Sequence, residues 1–199
     1  MPGALDVLVF GHSFTRRLRD WCQTNGKIDL GLSGEREINV FWHGVGGAII
    51  SPPSSPKSIW QDLPIVESLS PDIVFLDIGT NDLARSNDPH GVARAIFDLA
   101  CHIARHLSKS VVISQILPRR HPSSFAYKVN ACNTTLEALC TSHPTIKFWT
   151  HSRNNFFSRF VTDFVAPDGV HVCNDRGMHR YYYSVRSAVM FAERSLANC

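Results

Sequence analysis

The sequence lacks several features that would place it in a special class of protein. No apolar run approaches the roughly 20 residues that a membrane-spanning helix needs, which excludes a transmembrane protein of that kind. The net charge of +3 comes mostly from arginines scattered along the chain. Nucleic-acid-binding tails carry dense basic runs instead. We therefore predict no direct nucleic-acid site.

A secretory signal and a disulfide framework are also missing from the pattern. The first residues show no basic stretch followed by an apolar one, as a signal peptide has. Cys132 and Cys140 lie on one predicted helix, about 12 Å apart, which is too far for a disulfide between them. Cys22, Cys101 and Cys140 are expected to be small buried hydrophobic residues. The cytoplasm is the expected compartment, although a secreted protein with its signal peptide removed would look the same.

The composition is that of an ordinary globular protein. With 44% hydrophobic and 19% charged residues, the chain has enough apolar surface to fold, which excludes a disordered class. Its 199 residues suit one domain, and we expect residues 1–199 to form it.

Apolar runs alternate with segments of helical spacing. The runs, rich in Val, Ile and Phe, predict strands at Asp6–Phe10, Ile38–Trp42, Ile73–Ile78, Val111–Ile116 and Ile146–Trp149. The segments between and after them predict helices at Phe14–Thr24, Ile59–Leu69, His90–Leu107, Phe125–Ser142 and Asn174–Ala197. Most of the strands are continuously apolar and are expected to be buried on both faces. Strand and helix in alternation predict a three-layer α/β fold with a parallel sheet.

Two irregular regions interrupt this alternation and are expected to form loops or short helices on the surface. They are Gly44–Ser58, rich in glycine, proline and serine, and His151–Pro167, which carries four phenylalanines. In an open parallel sheet, ligands bind outside the carboxyl ends of the strands. Ser13, the run Gly44–Gly47 and Asn81 each follow a predicted strand directly. All three therefore fall on one edge of the sheet.

Two motifs at opposite ends of the chain supply a serine, a carboxylate and an imidazole. Ser13 stands in Gly-His-Ser, where strand turns into helix, and Asp168 and His171 stand in Asp-Gly-Val-His. Together they are the groups of nucleophilic acyl transfer, with the aspartate fixing the tautomer of the histidine. Each has a plainer interpretation: Ser13 as a helix cap, and Asp168 and Gly169 as a turn beside a surface histidine.

Two further motifs lie between them. Asn81, in Gly-Thr-Asn-Asp, offers a side-chain amide to an oxyanion, and Asp82 is expected to fix the loop by bonding nearby amides. Gly46 and Gly47 allow a backbone N–H to approach a substrate oxygen without a side chain in the way. A turn at Asn81 and a flexible glycine loop are the plainer alternatives.

The four motifs in this order resemble the SGNH hydrolase superfamily, also called the GDSL esterase and lipase superfamily. The resemblance rests on Ser13, Gly47, Asn81 and His171 in their four blocks, and it extends from Val7 to the final helix. It implies a flavodoxin-like sheet of order 2-1-3-4-5 with helices on both faces.

The same resemblance implies a serine esterase that acts on short acetyl-type esters, with no cofactor and no metal. Ser13 is the implied nucleophile, His171 the base and then the acid, and Asp168 the residue that orients it. The backbone N–H groups of Ser13 and Gly47 and the side chain of Asn81 form the implied oxyanion hole. Gly47 is preferred because it is nearer the family position, and Gly46 stays open.

One residue departs from the family pattern. The family usually has aspartate before the serine, where this chain has His12. His12 is also a rival base for Ser13, although adjacent residues in such a turn usually point apart.

A narrower resemblance is to the esterase domains in first-open-reading-frame proteins of LINE-type retrotransposons. It is carried by Val-Leu-Val-Phe-Gly-His-Ser-Phe, Asp-Gly-Val-His and the run Arg180–Tyr183. It implies that lipid or RNA association belongs to regions outside this chain. The alternative function is a weak or inactive module of such a protein that binds lipid, glycan or RNA.

Other patterns favour structural roles. His102 and His106 have the spacing of some zinc ligands but no third ligand nearby, so a solvated helix face is expected. The phenylalanines of the second irregular region, at 156, 157, 160 and 164, are interpreted first as a core stripe and second as part of a pocket wall. Tyr181–Tyr183 is expected to pack the last helix.

Overall fold

The computed structural model describes residues 4–32, 37–120, 124–152 and 155–197. Five parallel strands form its central sheet: β1 (Leu5–Gly11), β2 (Ile38–Gly44), β3 (Ile73–Asp77), β4 (Ser110–Ser114) and β5 (Ile146–Trp149). They lie side by side in the order β2-β1-β3-β4-β5. The predicted fold class and strand order are confirmed.

Within the described ranges, six α-helices cover the sheet. They are α1 (Ser13–Thr24), α2 (Leu63–Leu69), α3 (Thr80–Arg85), α4 (Pro89–His106), α5 (Ser124–Cys140) and α6 (Arg176–Ala197). A 3₁₀ turn at Ile59–Asp62 precedes α2, and a π-helical turn spans Phe160–Phe164. None of the helices in the described ranges combines the length and the apolar character that crossing a membrane requires.

The core has one part on each face of the sheet. Successive side chains of a strand point to opposite faces, and in β1 Leu8 and Phe10 pack with residues of α2, α4 and α5. Val7 and Val9 pack on the other face with residues of α1 and α6. Helices therefore cover both faces, which is the predicted three-layer arrangement.

The edges of the sheet correct one prediction. Every residue of β2 is only partly buried, because β2 has a neighbouring strand on one side only. The expectation of burial on both faces, made for most of the strands, holds for β1, β3 and β4 and fails for the two edge strands, β2 and β5. An apolar run alone does not reveal which strand lies at the edge.

Two helical predictions also need correction. The predicted helix Ile59–Leu69 is divided, because the Ser58 side chain accepts a hydrogen bond from the Trp60 amide and starts a separate 3₁₀ turn. Pro64 then stands in the first turn of α2, where its missing N–H is tolerated. The helix α3 was not predicted, and it places Asn81 in a first helical turn instead of an irregular turn.

The two irregular regions are less superficial than predicted. Ile49 and Ile50, in the first region, are buried, and so are Phe156, Phe160 and Phe164 in the second. The core interpretation of the phenylalanine stripe is thus correct for these three rings. Residues 153–154 of the second region lie outside the described ranges.

The expectations for the tyrosines of α6 and for the cysteines are confirmed only in part. Tyr181 and Tyr182 are buried in the packing of α6, whereas Tyr183 is exposed. Cys22 and Cys140 are buried as predicted, and Cys101 is only half-buried. Burial raises the pKa of Cys22 and of Cys140 to about 12. The cysteines within the described ranges are free thiols.

Candidate active site

Ser13 lies where β1 turns into α1. The backbone amide of His12 donates to the Asp77 carbonyl oxygen (3.0 Å) and ties this turn to β3. The side chain of His12 caps α1, because its Nδ1 accepts a hydrogen bond from the Phe14 amide (3.2 Å). Ser13 is therefore the first residue of the helix. The plainer interpretation of Ser13 as the helix cap is wrong.

Asp168 and His171 form a hydrogen-bonded pair within one tight loop. Oδ1 of Asp168 accepts from the backbone amides of Val170 and His171, both at 2.9 Å. Oδ2 lies 2.7 Å from Nδ1 of His171. Because an ionised carboxylate only accepts, Nδ1 carries the imidazole proton and Nε2 is left as an acceptor.

The Asp168 carboxylate is strongly favoured over its protonated form. Partial burial raises the pKa of Asp168, but the backbone amides of His171 and Val170 and the imidazole of His171 outweigh this effect. They hold the pKa well below its usual range. Asp168 is thus an anion at neutral pH, as a residue that orients and stabilises an imidazolium must be.

The serine and the histidine meet across most of the sequence. Oγ of Ser13 lies 3.1 Å from Nε2 of His171, although the two residues are 158 positions apart. The Phe14 ring packs against the imidazole with centroids 5.7 Å apart. Hydroxyl, imidazole and carboxylate are therefore aligned in one hydrogen-bonded chain. Its members are the three residues that the sequence predicted.

The strand register brings the other predicted blocks to the same edge. Gly11 pairs with both Gly44 and Asp77, so β2, β1 and β3 end on one line. The backbones of β1 and β3 lie very close together at Gly11, since a Cβ there would be 2.0 Å from the Asp77 carbonyl oxygen. Gly47 follows β2 closely, and Asn81 follows β3.

Gly47 and Asn81 are linked to each other through one turn. The Ala48 amide donates to the Val45 carbonyl oxygen (3.2 Å), and Gly47 has a φ of +75°. A positive φ at the third position is typical of a type II turn and favours glycine there. Nδ2 of Asn81 donates to the Ala48 carbonyl oxygen (2.9 Å). The side-chain amide therefore lies beside the glycine turn. The choice between Gly46 and Gly47 as oxyanion donor stays a prediction.

Asp82 holds the glycine-containing loop through hydrogen bonds to its backbone. It is buried, and its Oδ1 accepts from the backbone amides of Ile50 (2.9 Å) and Ser51 (3.2 Å). Burial raises the pKa of this carboxyl, and the two amides offset the effect only in part. The hydrogen bonds expected from Asp82 to nearby amides are present. Their donors belong to the loop that carries Gly47, which the sequence did not reveal.

A buried polar group supports the serine turn. Nε2 of His12 lies 3.5 Å from Oδ1 of Asp77, and the Tyr181 hydroxyl donates to Oδ2 of Asp77 (2.6 Å). All three side chains are buried. Burial lowers the pKa of His12, and the Asp77 charge offsets this only in part. Both nitrogens of His12 are engaged, Nδ1 by the Phe14 amide and Nε2 by Asp77, so neither faces Ser13 as an acceptor.

A second buried histidine lies beneath the same edge of the sheet. Nε2 of His151 is 2.9 Å from the Ser114 hydroxyl, and its Nδ1 is 2.8 Å from the Ser184 hydroxyl. Burial lowers the pKa of His151 to about 3. The ring is therefore neutral at physiological pH. It links β4 to α6 through hydrogen bonds.

Arg119 contacts the first turn of α3. Its Nη2 donates to the Thr80 carbonyl oxygen (3.0 Å) and to Oδ1 of Asn81 (3.2 Å), and its Nε donates to the Thr80 hydroxyl (3.3 Å). The guanidinium lies over the Phe125 ring, 4.8 Å from the centroid. The next residue, Arg120, donates its backbone N–H to the Gly169 carbonyl oxygen (2.8 Å). The segment after β4 thus contacts both the Asn81 side chain and the loop that carries Asp168 and His171.

Three of these residues were not identified from the sequence: Asp77, Arg119 and His151. Each stands at or soon after the carboxyl end of a strand. The rule that ligands bind at this edge of a parallel sheet is the signal that could have found them.

His102 and His106 lie on α4, away from the residues described above. The rings of His102 and His106 are 5.1 Å apart, and Trp60 packs against His102. Within the described ranges, no group of three or more His, Cys, Asp or Glu side chains is placed to hold a metal ion.

The overall fold matches solved structures of proteins described as lipolytic proteins, lipases and esterases. A member of the lipolytic protein G-D-S-L family from Veillonella parvula is 21% identical, with a TM-score of 0.70 over 92% of this chain and 97% of that one. A GDSL-like lipase from Bacteroides thetaiotaomicron is 18% identical (TM-score 0.66, 94% and 88%). An acetylxylan esterase from Geobacillus stearothermophilus is 14% identical (TM-score 0.68, 94% and 95%).

These likenesses define the fold as that of GDSL, or SGNH, hydrolases. At these identities they speak for the fold alone. No protein-family model matches the sequence, and no curated protein matches it.

Proposed function

We propose that this protein is a serine esterase that hydrolyses short-chain, acetyl-type esters through an acyl-enzyme. The observation that carries the proposal is the hydrogen-bonded chain from Oγ of Ser13 through His171 to Asp168, with distances of 3.1 and 2.7 Å. This order of nucleophile, base and orienting carboxylate is one of the arrangements that carry out acyl transfer. The fold shared with an acetylxylan esterase supports the same class of reaction.

The proposed reaction proceeds in two halves. Oγ of Ser13 attacks the ester carbonyl carbon while its proton passes to Nε2 of His171, and Asp168 stabilises the resulting imidazolium. The bond to the alcohol then breaks, and the leaving oxygen takes the proton from His171. A water next gives its proton to His171 and attacks the acyl-enzyme. The carboxylic acid leaves as the proton returns to Ser13.

The oxyanion of each tetrahedral intermediate is proposed to bind three N–H groups. They are the backbone amides of Ser13 and Gly47 and Nδ2 of Asn81. Ser13 begins the 12-residue helix α1, whose N-terminus has a positive potential. The Asn81 amide has two N–H bonds, of which one is directed to Ala48. The mechanism uses no cofactor and no metal.

The preference for a short acyl group rests on the resemblance and on the acetylxylan esterase among the similar structures. The finer resemblance to LINE-type retrotransposon proteins, with a cytoplasmic setting and lipid or RNA association through other regions, has no support in the compared structures and stays a prediction. So does the assignment of residues 1–199 to one domain.

The test is turnover of p-nitrophenyl esters from acetate to octanoate by the wild type, Ser13→Ala and His171→Ala. We expect both variants to lose several orders of magnitude in kcat/KM. Ser68→Ala, which changes an exposed serine on α2, is the matched control and is expected to retain full activity. The acetate is expected to turn over fastest, with rates falling as the acyl chain lengthens.

Undiminished turnover by Ser13→Ala contradicts the proposal. An inert wild type that binds vesicles, glycans or RNA would instead favour the alternative of a binding module. Maximal rates on octanoate would leave the esterase in place and overturn the short-chain preference.

A further inference from the structure

Arg119 reaches the site from a segment outside the four motifs. It follows β4 and is half-buried, with its guanidinium over the Phe125 ring. Among the described residues, its side chain donates three hydrogen bonds, all to Thr80 and Asn81 in the first turn of α3. A half-buried cation therefore holds the turn that carries the Asn81 amide through three hydrogen bonds.

The partners of Asn81 leave its side chain one orientation. A guanidinium only donates, so the Asn81 atom 3.2 Å from Arg119 must be the carbonyl oxygen Oδ1. The Ala48 carbonyl only accepts, so the atom 2.9 Å from it must be the nitrogen Nδ2. A 180° flip of the amide would break both contacts. It would also present an acceptor, in place of a donor, to an oxyanion.

The charge of Arg119 acts in the same direction. Hydrogen bonds that involve an ionised group are shorter and stronger than neutral ones. A cation on Oδ1 polarises the amide and makes its N–H groups better donors. Loss of Arg119 leaves Ala48 as the only one of these two restraints on the amide.

We propose that Arg119 is a positioning residue that locks and polarises the Asn81 side chain so that Nδ2 faces the developing oxyanion. The inference rests on the proposed esterase function of the same site. Arg119 acts through Asn81 and does not itself contact the reacting atoms.

Kinetics on p-nitrophenyl acetate give the first test. Arg119→Met keeps the apolar contact with Phe125 and removes every donor. We expect it to lower kcat about tenfold to fiftyfold with KM changed less than about twofold, below the full loss of one oxyanion donor. Arg119→Lys recovers part of the rate, because it restores one charged donor. Arg105→Ala, an exposed arginine on α4, is the control.

A double-mutant cycle separates a role through Asn81 from any other role. Removing Arg119 in an Asn81→Ala background should cost less than about twofold more. A loss that persists in that background overturns the inference, because Arg119 then acts elsewhere. A raised KM with unchanged kcat also overturns it, in favour of direct substrate binding. So does a fall in melting temperature with unchanged kcat, in favour of a purely structural role.

A measurement without turnover tests the same inference independently of the esterase proposal. The side-chain amide resonances of Asn81, assigned with an Asn81→Ala sample, should shift and broaden in Arg119→Met and stay unchanged in Arg105→Ala. Unchanged Asn81 resonances in Arg119→Met overturn the positioning role. Equal turnover by wild type and Ser13→Ala overturns the proposed function instead.

Discussion

The two halves of the candidate site are held by different means. The nucleophile half rests on the core: Ser13 follows His12, and His12 and Asp77 are only 1% and 5% exposed. The base half is one loop, in which Asp168 is 44% exposed at its side chain and lies three residues before the histidine it orients. The position of Ser13 is therefore set by tertiary packing, whereas the orientation of His171 is set by local hydrogen bonds.

The difference separates stability from activity. A change beneath Ser13 disturbs the pairing of β1 with β3 and is expected to affect folding first. A change in the loop of His171 leaves the core untouched and is expected to affect the chemistry first. The following experiments test this separation.

The largest effect is expected from Asp168→Asn. The asparagine Oδ1 keeps the hydrogen bonds from the Val170 and His171 amides, but its NH₂ group faces Nδ1 and forces the imidazole proton onto Nε2. Nε2 then cannot accept the proton of Ser13, and kcat/KM for p-nitrophenyl acetate should fall by about 10⁴. The melting temperature should stay within about 3 °C of the wild type.

Asp20→Asn, a surface aspartate paired with Arg19, controls for the loss of a negative charge. A kcat/KM for Asp168→Asn within tenfold of the wild type would show that the loop does not set the tautomer. A large fall in melting temperature would show that this loop supports the core.

The next effect is a contrast between two glycine substitutions. In Gly11→Ala the new Cβ would lie 2.0 Å from the Asp77 carbonyl oxygen, and backbone must move to make room. We expect a loss of at least about 3 kcal/mol in the free energy of unfolding, measured with urea. In Gly169→Ala the nearest atom is 3.4 Å away and the φ is +72°. The strain of that φ should cost about 1 to 2 kcal/mol.

For activity per folded molecule we expect the opposite order, with Gly169→Ala losing more than Gly11→Ala. Folded Gly169→Ala should lose more activity than its stability implies, because the Asp168 loop shifts. Equal losses of stability in the two variants would contradict the contrast between core and loop.

The last comparison concerns the dependence of stability on pH. Burial lowers the pKa of His12, and lowers that of His151 to about 3, from the ordinary value of 6.5. Around His12, Asp77 opposes this shift and Arg119 and His171 add to it. Below pH 6.5 the unfolded chain therefore binds protons that the folded chain refuses. The stability that each neutral histidine supplies is full above pH 6.5 and falls by up to about 1.4 kcal/mol per pH unit below it.

Urea unfolding between pH 7.5 and 4.5 measures this slope. His151→Gln should show a shallower slope than the wild type, and the exposed His90→Gln should not differ from it. Identical slopes in all three proteins would show that the buried histidine at 151 does not govern the acid sensitivity of the core.

The regular elements were predictable because they depend on local pattern. The bounds of β5 match the prediction, and those of α4 differ by one residue at each end. The partial burial of β2 was not predictable in this way, since it follows from which strands are neighbours. The helix α3 was missed because it is only six residues long.

The residues of the candidate site also differ in whether local sequence reveals them. Ser13, Asp168 and His171 stand in short motifs whose chemistry can be read residue by residue. The support that Asp77, Arg119 and His151 give depends on contacts between distant segments. Arg119 contacts Asn81 only because β3 and β4 are adjacent, and its own sequence surroundings give no sign of that contact.

The cap formed by His12 bears on how such proteins are recognised. A pattern written in residue letters, with aspartate before the serine, counts His12 as a mismatch. A pattern written in hydrogen-bond acceptors counts it as a match, since Nδ1 receives the Phe14 amide. His12 can cap the helix only while its imidazole is uncharged, because a protonated ring has no acceptor nitrogen. Burial lowers the pKa of His12, so the depth of its surroundings sets how acidic the solution can become before this cap is lost.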